Sequence, residues 1–457
     1  MTRALQGFTR VCVKIVSRWM PDPLIFAVLL TFVTFILGMT LTSQTPMQML
    51  GHWESGFWAL LTFAMQMVLI IVTGSALAQA PVCKKALVRL AAIPKTTGGA
   101  IVVVTLVAII AGLINWGFGL VIAVLFAKEI AKVADVDYRL TIASAFSGGA
   151  MVSMLGLSGT IPLMLASPTT NFAAISGGVL DGPIPLTETT FATYTLVFIV
   201  IFAVAVPLIN RAMHPKDKKD MVFIDKSKLE EENVAAQTPE KKDMTPAEKL
   251  ENSRVISYVL GAMGLVLIVR HFMTFGFLLT LDFVNFMFLF VAIILHGTPA
   301  SFLRAVNGSI RAVSGVVIQF PFYAGIMGMV NGANAVGVSL AAVMTSGFIT
   351  ISNDVTLPLF TFISAGILNM FIPSGGGQFV VQAPIMLPAA YELGADVTRT
   401  AMAIAFGDLW TNSIQPFWAL PALAIAGLRI RDIMGFLIIH FFFVGILMGL
   451  SITFLPA

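Results

Sequence analysis

One carboxylate stands where the chain is otherwise apolar: Asp408, in Ala405-Phe406-Gly407-Asp408-Leu409-Trp410-Thr411-Asn412-Ser413-Ile414-Gln415-Pro416. An ionisable side chain inside a membrane-length apolar segment is costly and points to a functional path through the protein. Asp408 is a candidate for carrying a coupling proton or holding a cation. The bland alternative is a solvated carboxylate near the base of a neighbouring element. Trp410, Asn412 and Gln415 follow within two turns. Amide side chains in apolar surroundings need partners. Asn412 and Gln415 are therefore candidates for touching a solute, or for ligating Na⁺ together with unwound carbonyls. Helix–helix hydrogen bonding is the competing reading, worth about 0.6 kcal/mol in a membrane.

Two glycine-rich breaks supply a different chemistry. Asn115-Trp116-Gly117-Phe118-Gly119 and Pro373-Ser374-Gly375-Gly376-Gly377-Gln378 each interrupt an apolar stretch. Glycines let the backbone turn and let a ligand approach it closely. A half-helix that starts at such a break presents free N–H groups and the positive end of its dipole. No Lys or Arg occurs in 110–125 or 368–383. A site built on these tips suits a small anion of modest charge, such as a monocarboxylate. Asn115, Ser374 and Gln378 could donate to its oxygens. Trp116, Phe118 and Phe379 could cover an aliphatic tail or simply pack. A third break, Gly156-Leu157-Ser158-Gly159-Thr160-Ile161-Pro162, adds Ser158, Gly159 and Thr160 to the candidates. Na⁺ could sit near Asn115, Ser374 or Asn412, and no other cofactor is implied. Gly156-Leu157-Ser158-Gly159 also matches a form used by intramembrane serine proteases. A Ser158/His440 dyad is a remote alternative, because the residues flanking His440 offer nothing to orient it.

The elements that must position these residues follow from composition. The chain has 457 residues, 58% hydrophobic and 11% charged. Soluble domains run near 25% charged, so the expectation is an all-α polytopic membrane protein. The net charge of +4 reflects basic residues on one membrane side, not nucleic-acid binding. Cys12 and Cys83 give neither a disulfide framework nor metal spacing. Residues 1–20 carry Arg3, Arg10, Lys14 and Arg18 without a cleavage-type site, which predicts an interfacial helix.

Spans are expected at 24–43, 55–79, 190–210, 255–273, 282–297, 312–335 and 433–454. A short amphipathic helix is expected at 82–93. Broken spans are expected at 140–175 and 400–427. The arms around Asn115 (98–134) and around the glycine triplet (357–391) read as re-entrant hairpins, since each arm falls short of the roughly 20 residues a spanning helix needs. Residues 211–254 hold 10 basic and 10 acidic residues and read as a hydrophilic linker with a short helix near Pro246.

The halves echo one another at an offset near 260 residues. Asp22 falls opposite Asp282, Asn115–Gly119 opposite Gly375–Phe379, Asp135 and Arg139 opposite Asp396 and Arg399, and Pro162 opposite Pro421. With both hairpins re-entrant and the N-terminus cytoplasmic, all but Arg270 and Arg399 of the 27 Lys and Arg fall on the cytoplasmic side. The loops expected at 44–54, 176–189 and 336–356 have no Lys or Arg. That is a positive-inside pattern. It makes the second half an inverted copy of the first and leaves the C-terminus periplasmic.

Met20-Pro-Asp-Pro-Leu-Ile-Phe, Ile114-Asn-Trp-Gly-Phe-Gly, Gln319-Phe-Pro-Phe-Tyr-Ala-Gly, Ile372-Pro-Ser-Gly-Gly-Gly and Gln415-Pro-Phe-Trp-Ala-Leu-Pro-Ala-Leu-Ala-Ile-Ala-Gly-Leu resemble the bacterial short-chain fatty acid transporter family. The resemblance covers nearly the whole chain. It departs at Met151-Val-Ser-Met-Leu-Gly-Leu, where a Trp-Gly-Gly-Gly-type stretch would be expected. It implies a place in the ion transporter superfamily, an inverted repeat with two re-entrant hairpins and two broken helices, and an elevator-type transport domain moving against a scaffold.

By that resemblance the transport elements are 98–178 and 357–427. Scaffold segments are 1–97, 179–210, 255–356 and 428–457, and the charged linker is 211–254. The implied activity is import of butyrate- or acetoacetate-class acids across the bacterial inner membrane, coupled to H⁺ or Na⁺. Symport of another small carboxylate is the alternative. The implied partners are the bilayer and a second copy of the chain, with no enzymatic activity.

Overall fold

A computed structural model describes residues 2–19, 21–168, 170–215, 217–224, 244–276, 280–310 and 313–456. Residues 225–243 of the charged linker and the side chain of Phe118 lie outside the described residues. Among the described residues there are helices and a single isolated bridge, Ala333 to Ser339, but no strand. Among the described residues, seven helical segments are long and apolar enough to cross a membrane: Pro23–Thr42, Leu61–Gln79, Thr97–Ile114, Tyr138–Ala166, Thr193–Met213, Pro246–Phe275 and Ile430–Phe454.

The first half opens with α1 (Thr2–Trp19), α2 (Pro23–Thr42), α3 (Pro46–Phe57), α4 (Leu61–Gln79) and α5 (Pro81–Ala91). The Asp22 carboxylate caps α2 at 2.9 Å from Leu24 N, with Pro23 at the first helical position. A capping box between Thr45 and Gln48 starts α3 inside a stretch expected as loop. Hairpin 1 is α6 (Thr97–Ile114) and α7 (Trp116–Val133), joined by the single extended residue Asn115. The first broken span is α8 (Tyr138–Ala150), a 3₁₀ turn at Ser153–Leu155, and α9 (Thr160–Ala166). Then come α10 (Phe172–Ser176) and α11 (Thr193–Met213).

The second half follows α12 (Pro246–Glu251) and the peripheral α13 (Arg254–Phe275). It contains α14 (Leu281–His296), α15 (Pro299–Ile310), α16 (Ser314–Asn331) and α17 (Leu340–Ile349). The 336–356 stretch, expected as loop, thus holds a helix, capped by the Ser339 hydroxyl on Ala342 N at 3.1 Å. Hairpin 2 is α18 (Leu357–Asn369) and α19 (Gly375–Leu393). The second broken span is α20 (Val397–Asn412) and α21 (Pro416–Ala426), and α22 (Ile430–Phe454) closes the fold.

Capping side chains correct the repeat register. Asp137, not Asp135, caps α8 (3.0 Å to Leu140 N), as Asp396 caps α20 (2.9 Å to Arg399 N). Asp135 instead pairs with Lys218 at 2.6 Å on the surface. Thr280, not Asp282, caps α14, and Asp282 lies in its first turn, accepting from Gln66 Nε2 at 2.7 Å.

Packing divides the helices into two sets. In one, α4 packs on α14 and α15, and reciprocally α16 packs on α2 and α3. In the other, the hairpins and broken spans pack on each other. The helices α11 and α22, expected in the scaffold, pack instead on elements of this second set, α11 on α6 and α8, and α22 on α8, α18 and α20. The reason is visible in the side chains: Phe198 and Phe202 of α11 lie against Phe406 of α20 and its neighbours, fully buried.

Candidate functional site

The arms of hairpin 1 are 18 residues each, about 27 Å long at 1.5 Å per residue. They approach so closely that a Cβ at Gly119 would lie 2.5–2.7 Å from the backbone of Gly112 and Ala111. Gly112 in turn abuts Gly149 of α8. Small residues allow this contact between helices. The hairpin ends inside the protein: Asn115 is 1% exposed, and Trp116 N–H donates to the Ser158 hydroxyl at 2.9 Å in the break between α8 and α9.

Hairpin 2 turns through Met370–Ser374. The Ser374 hydroxyl accepts from Gly377 N at 3.3 Å and its carbonyl from Gln378 N at 2.7 Å. The first amides of α19, at Gly375 and Gly376, have no hydrogen-bond partner among the described residues. Behind them lies Asp408, 0% exposed. Its Oδ2 accepts from Asn412 Nδ2 at 3.0 Å, while Oδ1 is buried without a hydrogen-bond partner. A Cβ placed on Gly375 would be 3.6 Å from that Oδ1. Asn369 closes the cluster, with its Nδ2 within reach of Asp408 O (2.9 Å), Thr411 Oγ1 (2.9 Å) and Asn412 Oδ1 (2.7 Å).

Both tips border one cavity of about 850 Å³. Trp116 lines it from hairpin 1, and Ser374, Gly375 and Gly376 from hairpin 2. Ser158 and Thr160 line it from the first broken span, and Asn412 from the second. Among the described residues, none that lines it is charged. One wall is aromatic: Trp116 and Trp418 meet edge-to-face at 5.7 Å, and Phe63 of α4 lies 6.1 Å and 6.2 Å from them. The cavity runs past Ser167 and Thr170 to Gln66 and Thr280, at the ends of α9, α4 and α14 remote from the linker.

Other expected site residues take internal partners and do not line this cavity. Gln378 donates to Ala365 O at 2.8 Å and Gln382 Nε2 to Ser364 Oγ at 2.9 Å, which zips the arms of hairpin 2 together. Trp410 donates to Phe441 O at 2.7 Å, stacked between Phe362 and Phe441. Gln415 caps α21 at 2.9 Å from Phe417 N and donates to Met370 O at 3.1 Å. Asn115, Gly117, Gly119, Gly159 and Gly377 are also not among the residues that line the cavity.

His440 is oriented after all. Its ring nitrogens meet Phe436 O at 3.0 Å and Asn210 Oδ1 at 2.6 Å, and Ser158 instead accepts from Trp116. No Ser158–His440 hydrogen bond exists, so the hydrolase dyad is not assembled.

Sequence reasoning missed Phe63, Met154, Met164 and Trp418. Trp418 lies two residues past the Gln415-Pro416 break and could have been read from it. Phe63 arrives from a distant helix and gave no local signal.

A multi-pass helical membrane protein with one deep cavity between two helical hairpins and two broken spans has the organisation of a small-solute carrier. Residues 4–455 match the sequence model of the short chain fatty acid transporter family, and the chain belongs to that family. It is 43% identical over 447 residues, 97% of this chain and 98% of the other, to a protein of Escherichia coli (strain K12). It is 44% identical over 431 residues, 94% and 95% of the two chains, to one of Haemophilus influenzae (strain ATCC 51907 / DSM 11121 / KW20 / Rd). Both carry the name "Putative short-chain fatty acid transporter". Among solved structures, the Alcanivorax borkumensis YdaH transporter is similar with a TM-score of 0.45 and 17% identity, over 95% of this chain and 97% of the other.

Proposed function

We propose that this protein is a secondary active transporter that imports short-chain fatty acids of the butyrate and acetoacetate class across the bacterial inner membrane, coupled to H⁺ or Na⁺. The observation that carries the reading is the cavity itself. Gly375 and Gly376, whose amides are unpaired among the described residues, line the same cavity as an aromatic and aliphatic wall, and no described lining residue is basic. A carboxylate takes the amides and the start of the α19 dipole, worth about 0.3–1 kcal/mol for an exposed charge and more when partly buried. The tail takes the apolar wall, at roughly 0.8 kcal/mol per buried methylene.

Coupling follows from charge. A solute anion at Gly375 would face the buried Asp408 carboxylate with no lysine or arginine to offset either. Buried like charges disfavour joint ionisation. A proton on Asp408 or a cation beside its open Oδ1 removes the repulsion, so solute and cation bind together. Asn412, which orients Asp408, and Ser374 complete the candidate cation surroundings; Asn115 stays behind the opposite tip. Other residues proposed to touch the solute are Trp116, Ser158 and Thr160.

The N-terminus is cytoplasmic, the C-terminus periplasmic, and the cavity opens to the periplasm. The mobile body comprises the hairpins, the broken spans, α11 and α22. It moves elevator-fashion against a scaffold of α2–α4 and α13–α16, which pairs with a second copy. Radiolabelled butyrate uptake into proteoliposomes under separately imposed Na⁺ and pH gradients tests this. Uptake driven by one of them supports it, and no uptake under either contradicts it. A different small carboxylate is the second reading, favoured by the 850 Å³ cavity, which has room for a solute larger than butyrate. Competition by longer and substituted acids separates the two.

A further inference from the structure

Two methionines from the first broken span press on the two tip glycines of hairpin 2. A Cβ at Gly375 would run into the Met154 terminal methyl. One at Gly376 would lie 3.5 Å from Met164 Sδ and 3.0 Å from Thr160 Cγ2. Met154 is held in place by its sulfur, which accepts the Thr160 N–H at 3.1 Å. Both side chains line the cavity and both are half-buried. A solute whose carboxylate reaches the Gly375 and Gly376 amides must therefore bring the carbons next to that carboxylate under these two thioethers.

We propose that Met154 and Met164 form a displaceable roof over the carboxylate end of the solute and select acids that are unbranched at the carbon bearing the carboxyl group. This rests on hairpin 2 being the carboxylate site. Methionine suits the role: it has three rotatable bonds and a polarizable sulfur, and it adapts to a linear chain. A methyl branch on the first carbon collides with the roof where it is anchored, at the Thr160–Met154 bond. Pocket discrimination of a single methyl group runs to roughly 10–200-fold.

The test uses the purified full-length protein in nanodiscs and follows the fluorescence of the cavity tryptophans Trp116 and Trp418. Sodium butyrate and sodium isobutyrate are the probes, with equal carbon number and charge. Wild type should bind butyrate at least about tenfold more tightly. Met154→Ala should bring the two affinities within about twofold of each other, and Met164→Ala should shift them in the same direction by less. Met154→Leu, which restores volume without the sulfur, should recover most of the preference. An unchanged affinity ratio in both alanine variants overturns the roof while leaving the carboxylate site standing. No saturable response of wild type to either acid overturns the site and the roof together.

Discussion

The two hairpin tips look alike in sequence and are built for different ends. At the first, Asn115 is the whole turn, Trp116 N–H is taken by Ser158, and Gly119 brings α7 onto the backbone of α6. There Gly119 serves helix contact. At the second, the turn is longer, Gly375 and Gly376 line the cavity with amides that have no hydrogen-bond partner among the described residues, and a Cβ at either would meet side chains rather than backbone. Glycine content alone therefore does not mark a ligand site. What distinguishes the tips is whether another part of the protein consumes the first amides of the following helix.

The largest way to break the comparison is at the packed tip. Gly119→Leu drives a side chain into the backbone of Gly112, where no rotamer relieves it. Overpacking costs typically 1–3 kcal/mol and more against backbone, so the yield of monodisperse protein on size exclusion should collapse. Normal yield would mean the arms are not in contact.

Next comes Asp408→Asn. The open Oδ1 loses its charge while the Asn412 contact can persist, so uptake under the driving gradient should fall about tenfold or more, equivalent to ~1.4 kcal/mol. Its dependence on the driving cation should flatten. Unchanged dependence on both pH and Na⁺ would remove Asp408 from coupling.

A smaller effect on uptake is expected at Ser158. Ser158→Ala leaves Trp116 N–H without its acceptor, a loss of roughly 1–3 kcal/mol. The thermal midpoint should drop while uptake survives at reduced rate. An unchanged midpoint would show that the tip finds another acceptor.

The smallest concerns the start of the same broken span, at the N-terminus of α8. There Asp137 N–H donates to His214 Nε2 at 3.1 Å, and Val222 N–H donates to Asp137 Oδ2 at 3.0 Å. Burial pushes the His214 imidazole below its ordinary 6.5, against the opposing pull of the Pro215 backbone and Asp137. Between that depressed value and 6.5 the unfolded chain binds the proton more readily than the folded one. Stability therefore rises with pH across the window and is lost on acidification through it. Hydrogen exchange at Val222 and Tyr138 should accelerate, beyond the intrinsic rate, as pH falls from 7 to 5, and His214→Gln should abolish the change. Equal pH response in both proteins would exclude His214.

Much of this architecture was legible. Apolar runs, Pro and Asp at helix starts and the asymmetry of Lys and Arg located the spans, the hairpins and the linker. Short helices such as α3, α15 and α17 were not, because ten to twelve residues give little apolar periodicity between longer neighbours. Ser374, Gly375, Gly376, Trp116, Ser158, Thr160 and Asn412 line the cavity, and the breaks in apolar segments that hold them are visible locally. Gln378, Trp410 and Gln415 carried the same polar signal, yet their hydrogen bonds are internal. Polarity in a span says that a partner exists, not whether that partner is solute or protein. The aromatic wall depends on α4 reaching the hairpin tips, a tertiary fact with no local trace.

The account stands most directly on Gly376. A leucine there should leave expression and size-exclusion behaviour intact, since a Cβ meets the Thr160 Cγ2 methyl at 3.0 Å and Met164 Sδ at 3.5 Å rather than backbone. It should also abolish radiolabelled butyrate uptake into proteoliposomes by filling the space in front of the tip amides. Uptake by Gly376→Leu at the wild-type rate would contradict a carboxylate site at hairpin 2.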